Sequence, residues 1–225
     1  MNRPTILSLL TLAATLLAAC DRAATSPAPT PAAPTAEAAP DPATRPIEPL
    51  RAIVETNRGT FTIDLFEQET PRTVASFCLL ASDGFYDGQE FYGRSVVVRQ
   101  IGRPVPAFTP GWTLPREFAP GKWFDRGGRV AATLVTNDDG SPAHGSGFFV
   151  TVKEQDRWNL VYPIFGDVIE GQEVVDAIGD GDTIRRVVIE GDPAPLWARY
   201  PDEVSQWRDA LSKLDKSAVP QAAPR

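Results

Sequence analysis

The sequence predicts a mainly β fold, a closed antiparallel barrel capped by helices. Three observations carry that reading. Many short runs of strand character recur from residue 51 to residue 190, the first two alternating apolar and polar residues on either side of Asn57-Arg58-Gly59. Only two helical patterns interrupt them. Apolar residues at 42% and charged residues at 23% supply both a core and a solvated surface.

The elements follow in order. Arg51 to Thr56 alternates, as does Phe61 to Phe66, and Asn57-Arg58-Gly59 between them reads as the turn of a hairpin. Thr70-Pro71 opens a helix, with Thr as N-cap and Pro in the first turn. Val74, Phe77, Cys78 and Ala81 share one face of it, and Gly84 ends it. Strands are expected around 95–101, 128–135, 147–153, 161–169 and 184–190. A short helix over 171–178 carries Val174, Val175 and Ile178. Val204, Trp207, Leu211 and Leu214 recur at helical spacing, so an amphipathic helix over 201–215 is expected to pack on the barrel or on a partner. The closing stretch SAVPQAAPR is expected to fray.

The N-terminus has a different composition. Ile6 to Leu17 is a compact apolar run behind Arg3, too short for a comfortable membrane span, and it reads as a secretory signal. It ends in Leu17-Ala18-Ala19-Cys20. That junction resembles the lipobox of bacterial lipoproteins, which implies cleavage after residue 19 and a lipid on Cys20. Pro and Ala then fill 17 of the 27 positions from 23 to 49. Such a stretch buries too little surface to fold and stays extended, so residues 20–49 read as a tether. The folded domain is expected over 50–192, with a helical extension and tail over 193–225.

Composition excludes several kinds of chemistry. The net charge of −7 argues against a nucleic-acid partner, which calls for a basic face. One histidine, His144, precludes a multi-histidine metal centre. His144 lies two residues from Ser146 in a predicted loop with no nucleophile elbow, so a hydrolase is disfavoured. Asn137-Asp138-Asp139-Gly140 lacks the twelve-residue ligand pattern of a calcium loop and reads as a polar turn. Two cysteines cannot staple a scaffold, and a lipidated Cys20 leaves Cys78 as an apolar packing residue. No cofactor or metal is expected.

The string from Glu55 to Phe91, ETNRGTFTIDLFEQETPRTVASFCLLASDGFYDGQEF, resembles the opening of a cyclophilin. Later, DRGGRVAATLV, HGSGFFVT and YPIFGDVIEGQEVVDAI are similar to that family's RGGxLSMAN, NGSQFFIT and HxVFGxVxEGxxVVxxI, in the same order. The resemblance spans about residues 51–191. It implies an eight-stranded antiparallel barrel with two helices and peptidyl-prolyl cis–trans isomerase activity. The binding partners it implies are proline-containing polypeptides, and a monomer is expected.

The implied site residues match less closely. The family pattern F-H-R-x-I-P-x-F-M-x-Q reads here as Phe91-Tyr92-Gly93-Arg94-Ser95-Val96-Val97-Val98-Arg99-Gln100. Gly93 stands at the place of the family's arginine, and Arg94 comes one later. The separation from Arg94 to Gln100 is six residues where the family has eight. Both are even, so strand parity still puts Arg94 and Gln100 on one face, and Arg94 is the expected catalytic residue. Arg99 has the opposite parity. The resemblance places Tyr92, Val98, Gln100, Phe149, Trp158 and Tyr162 on the substrate-binding surface. Tyr162 replaces a family histidine, Gly147 replaces a glutamine, and Thr133-Leu134 replaces Ala-Asn. The expectation is therefore an exported, lipid-anchored isomerase with an atypical site, acting in the periplasm of a bacterium. Its rival is a catalytically weakened module that binds proline-containing segments or acts as a chaperone.

Overall fold

The computed structural model describes residues 41–92, 95–101, 110–136 and 140–215. Eight antiparallel strands form one sheet: β1 Arg51–Thr56, β2 Gly59–Leu65, β3 Val98–Ile101, β4 Thr113–Leu114, β5 Arg129–Leu134, β6 Ala143–Thr151, β7 Ile164–Glu170 and β8 Ile184–Glu190. Their order is β3-β6-β5-β7-β2-β1-β8, with β4 added to β6. Among the described residues four α-helices accompany them: α1 Pro71–Ser82, α2 Gln172–Ala177, α3 Ala194–Ala198 and α4 Pro201–Ser212.

The expected closed barrel is corrected to an open half-barrel, whose ladder ends at β3 and at β8. The short segment Gln89–Tyr92 lies between those two ends. It makes one isolated bridge to each side, Glu90 with Thr183 and Tyr92 with Gln100. A continuous ring needs a strand long enough to pair along both edges, and these four residues supply only single bridges.

The hairpin of β1 and β2 pairs Arg51 with Asp64 through to Thr56 with Gly59. Alternation puts Ala52, Val54, Phe61, Ile63 and Leu65 inside. Helix α1 fills the concave side of the sheet and buries every residue from Thr73 to Ala81. Around Phe77 the rings of Tyr86, Phe148 and Phe165 pack with centroids 5.4–5.5 Å away. Past the C-terminal end of α1, Gly84 takes φ +71°. Its N–H donates to Ala81 O at 3.0 Å, while Phe85 N–H donates to Leu80 O at 2.9 Å. These paired bonds satisfy carbonyls that the helix leaves open.

Two local expectations change. Thr70 stands at the start of α1, but its hydroxyl donates to Phe66 O at 3.0 Å and caps nothing. The cap comes from a distant residue instead. Glu117 Oε2 accepts from Thr73 N–H and from the Thr73 hydroxyl, each at 2.9 Å, and Oε1 accepts from Arg72 N–H at 3.2 Å. The second change concerns residues 41–49, which join the folded unit. Pro42–Thr44 form a 3-10 turn capped by Asp41, Arg45 pairs with Asp192 at 3.0 Å, and Ile47 is buried. The domain therefore begins about nine residues before the expected boundary. Prolines spaced along an extended chain do not prevent one isoleucine from finding the core. The signal segment 1–19, Cys20, the tether up to residue 40, Asn137–Asp139 and the closing SAVPQAAPR lie outside the described residues.

The C-terminal extension folds back, as α3 and α4. Trp197 Nε1–H donates to Ala75 O at 3.0 Å, and Arg72 pairs with Glu203 at 3.2 Å while stacking on Tyr200. Val204, Trp207 and Leu211 are buried, and Trp207 stacks on Trp112 with 20° between the rings.

Candidate active site

β3 is four residues long, and its alternation decides which side chains can reach a ligand. Arg99 and Ile101 are buried, whereas Val98 and Gln100 are half-buried on the opposite face. β3 runs antiparallel to β6, with Gln100 opposite Phe149 and Ile101 opposite Phe148. Phe149 in turn faces Ala131 of β5, and Ala131 faces Ile164 of β7. Opposed residues point the same way, so Gln100, Phe149, Ala131 and Ile164 form a row across the convex side of the sheet. The next row, Ile101, Phe148 and Ala132, belongs to the interior.

A second apolar cluster sits on that convex row. It contains Phe66, Ala119, Phe124, Ala131, Phe149 and Ile164, with Val98, Trp158 and Tyr162 packed against it and partly open. The rings meet edge to face: Phe149 to Tyr162 at 5.2 Å and 87°, Phe149 to Trp158 at 5.5 Å and 74°, and Trp158 to Tyr162 at 5.6 Å and 69°. This geometry matches the ring quadrupoles and holds each ring in place. Sequence reading missed Phe124, which stacks on Phe149 at 18° and meets Trp158 edge-on. Its signal was the aromatic pair Trp123-Phe124 immediately before Asp125-Arg126-Gly127-Gly128.

The turn that carries the tryptophan and tyrosine is tightly tied. Trp158 ends a 3-10 turn, and its carbonyl accepts from Val161 N–H at 3.0 Å and Tyr162 N–H at 3.2 Å. Between them Leu160 adopts φ +60°, a left-handed conformation that non-glycine residues rarely take. Asn159 Oδ1 accepts from Phe124 N–H at 2.7 Å, and Gln155 N–H donates to Phe124 O at 2.7 Å. These two bonds hold the turn and Phe124 together.

Five of the six expected binding residues thus meet on one face: Val98, Gln100, Phe149, Trp158 and Tyr162. The sixth, Tyr92, joins them through Gln100. Its backbone bridges Gln100, and Gln100 Nε2 donates to the Tyr92 hydroxyl at 3.0 Å. That bond sets the Gln100 amide and is a feature the sequence does not announce. Arg94 lies outside the described residues.

Arg99 follows its parity inward. Its guanidinium donates to four carbonyls: Ser95 at 2.7 Å, Asp176 at 2.9 Å, Val98 at 3.0 Å and Val175 at 3.2 Å. Two of those carbonyls belong to the last turn of α2, where a cation is favourably placed. Arg99 is thus a structural clamp. His144 is also occupied structurally. Its Nδ1 accepts from Ser146 N–H at 3.2 Å and Gly147 N–H at 3.3 Å, and burial holds its pKa below the ordinary value. Cys78 is free and fully buried, and burial pushes its thiol far above the usual range, so it packs rather than reacts.

The family model for "Cyclophilin type peptidyl-prolyl cis-trans isomerase/CLD" matches residues 51–194. The chain belongs to that family. This cyclophilin is 33% identical over 150 residues to a peptidyl-prolyl cis-trans isomerase of Synechococcus elongatus, a match covering 64% of this chain and 99% of the relative. It is 33% identical over 132 residues to peptidyl-prolyl cis-trans isomerase B of Bacillus subtilis, covering 57% of this chain and 89% of that one. Among solved structures it is similar to a Cryptosporidium parvum cyclophilin type isomerase, with a TM-score of 0.56 and 22% identity over 65% of this chain and all of the other. A second structure of that protein, in the presence of the dipeptide Ala-Pro, gives a TM-score of 0.54. The structural likeness speaks for the cyclophilin fold, and the family match for the isomerase class.

Proposed function

We propose that the protein is an exported, lipid-anchored peptidyl-prolyl cis–trans isomerase that assists folding in a bacterial cell envelope. The observation that carries the catalytic part is the convex aromatic face of Phe149, Trp158 and Tyr162, with Gln100 at its edge. The presence of Ala-Pro with a structural neighbour suits the same ligand class. The envelope part rests on the Leu17-Ala18-Ala19-Cys20 junction behind an apolar run.

The chemistry needs few polar groups. Peptide rotation faces a barrier of about 18–20 kcal/mol because C–N resonance must be lost. The apolar face binds the prolyl ring and excludes water from the twisting bond. Gln100 orients the neighbouring peptide group. Arg94 is assigned the donor to the prolyl nitrogen, whose lone pair localises as resonance is lost. That bond is stronger in the twisted state than in either planar state, which is the condition for catalysis. No bond to substrate is made or broken.

The assignment is tested with the full-length chain in a protease-coupled isomerase assay. Arg94→Ala is expected to lower kcat/KM roughly 100- to 1000-fold, the usual cost of one preorganised donor. Peptide binding should fall much less, because the aromatic face remains. A brisk wild-type enzyme indifferent to Arg94→Ala removes the assignment. For the envelope part, Cys20→Ser is expected to abolish the lipid-dependent mass and membrane fractionation. Unchanged mass and fractionation refute the anchor. Gly147, at the place of a family glutamine, favours a second reading as a binding module. Peptide affinity without any turnover is its signature.

A further inference from the structure

Leu160 is unfavourable in its turn on two counts. Residues 158–161 form a type II turn: Val161 N–H donates to Trp158 O at 3.0 Å, Asn159 has φ −58° and ψ 131°, and Leu160 has φ +60°. Such a turn puts its third residue in the left-handed region, where glycine or asparagine is the ordinary occupant. A leucine there crowds its Cβ against the backbone and is strained. Among the described residues Leu160 is the one non-glycine residue with positive φ. It is also 61% exposed, so its side chain gains little from burial in the domain. Asparagine would suit both the turn and the solvent better.

The turn borders the aromatic face. Trp158 and Tyr162 flank Leu160 two residues away on either side, and both rings pack on Phe149. Val161 and Phe118 are exposed apolar residues as well. Arg116 links these two: its Nη1 donates to Val161 O at 3.5 Å, and its guanidinium lies 5.9 Å from the Phe118 ring centroid. Single apolar residues scattered on a surface need no explanation, but a group that adjoins an apolar site extends it. Continuity with the face names the occupant. A polypeptide whose proline lies on Phe149, Trp158 and Tyr162 carries its next two residues within about 7 Å of that proline, along the border where the turn stands. The turn is a firm support, since Asn159 is bonded to Phe124 N–H at 2.7 Å.

We propose that Leu160, with Val161, is a specificity determinant that favours prolyl segments with an apolar residue within two positions of the proline. The inference rests on the isomerase reading of the aromatic face and names its substrate class. A strained, exposed leucine costs the free protein stability and gains contact only when a substrate side chain covers it, which is the pattern of strain kept at a functional site.

The test uses peptides that differ only by Leu or Ser near the proline, on one side or the other, measured for turnover and for binding to the full-length chain. On at least one side the Leu peptide is expected to exceed the Ser peptide in kcat/KM by roughly 3- to 10-fold, as covering part of a leucine side chain supplies. Leu160→Asn should bring that ratio within about 2-fold of unity and raise the thermal midpoint by about 1–3 °C, because asparagine suits the turn. Leu160→Met keeps an apolar side chain and should keep the ratio. Val188→Ser, an exposed change on β8, should keep it too. Equal turnover and equal binding of Leu and Ser peptides overturn the proposal. So does a ratio that survives Leu160→Asn, or a midpoint that falls in that variant, which would make Leu160 a packing residue. Binding that follows Leu160 without turnover of any peptide keeps the apolar border and instead removes the isomerase reading.

Discussion

Glu67 is a buried carboxyl at odds with its surroundings. It is 8% exposed, its Oε2 has no hydrogen-bond partner, and burial raises its pKa above the ordinary 4.5. A carboxyl whose folded pKa is raised adds stability only while protonated. That contribution is complete below about pH 4.5 and is lost as pH climbs through the folded value. At neutral pH the buried carboxylate is therefore a cost. Glu67→Gln keeps the shape and removes the charge, so thermal melts at pH 7.5 should show a midpoint higher by about 2–4 °C, the equivalent of 1 kcal/mol in a domain of this size. The gap between variant and wild type should narrow as pH falls toward 4.5. A variant less stable at pH 7.5 would show that an unseen donor satisfies the carboxylate. The site residues illustrate a different point about single positions. Alternation alone separated Gln100 from Arg99, and the structure turns the first outward and the second into a clamp on four carbonyls.

Among the elements, helix α1 shows how a cap can come from far along the chain. Thr70 and Pro71 mark the start of α1 correctly, yet the carboxylate that satisfies its open N–H groups is Glu117, more than forty residues later. The contact is economical in charge: an anion at a helix N-terminus meets both the free donors and the positive end of the dipole. Glu117→Ala is expected to lower stability by about 1–2 kcal/mol, within the range for losing a cap, since Thr73 is buried and its N–H and hydroxyl would be left unpaired. Chemical denaturation with unchanged slope checks it. The turn from Trp158 to Tyr162 is the counterpart at the aromatic face. Its bonds to the Trp158 carbonyl and to Phe124 hold two rings at fixed angles to Phe149.

For the folded unit as a body, the N-terminal boundary is the testable matter. Removing residues 1–40 should leave the thermal midpoint within about 2 °C. Removing 1–49 should lower it clearly, because Ile47 leaves the core and Arg45 leaves Asp192. Losing one buried isoleucine side chain costs about 2–5 kcal/mol. Equal midpoints for both truncations would place the boundary at residue 50 after all.

Local sequence was enough to determine the strands other than β4, the β1–β2 hairpin, helices α1, α2 and α4, and the parity of β3. Each depends on periodicity or on a turn residue within a few positions. The six residues that the resemblance places at the substrate surface were reached through that resemblance rather than periodicity, and five of them do share one face. What only the tertiary structure decided is what pairs across long separations. The two-residue β4 and the five-residue α3 are too short to show a period. The ladder stays open because single bridges at Glu90 and Tyr92 depend on where two distant edges fall. Phe124 enters the aromatic face by stacking on Phe149, and Glu117 caps a helix it follows by many turns of chain. Contacts like these are set by packing in three dimensions, and a one-dimensional pattern carries no trace of them.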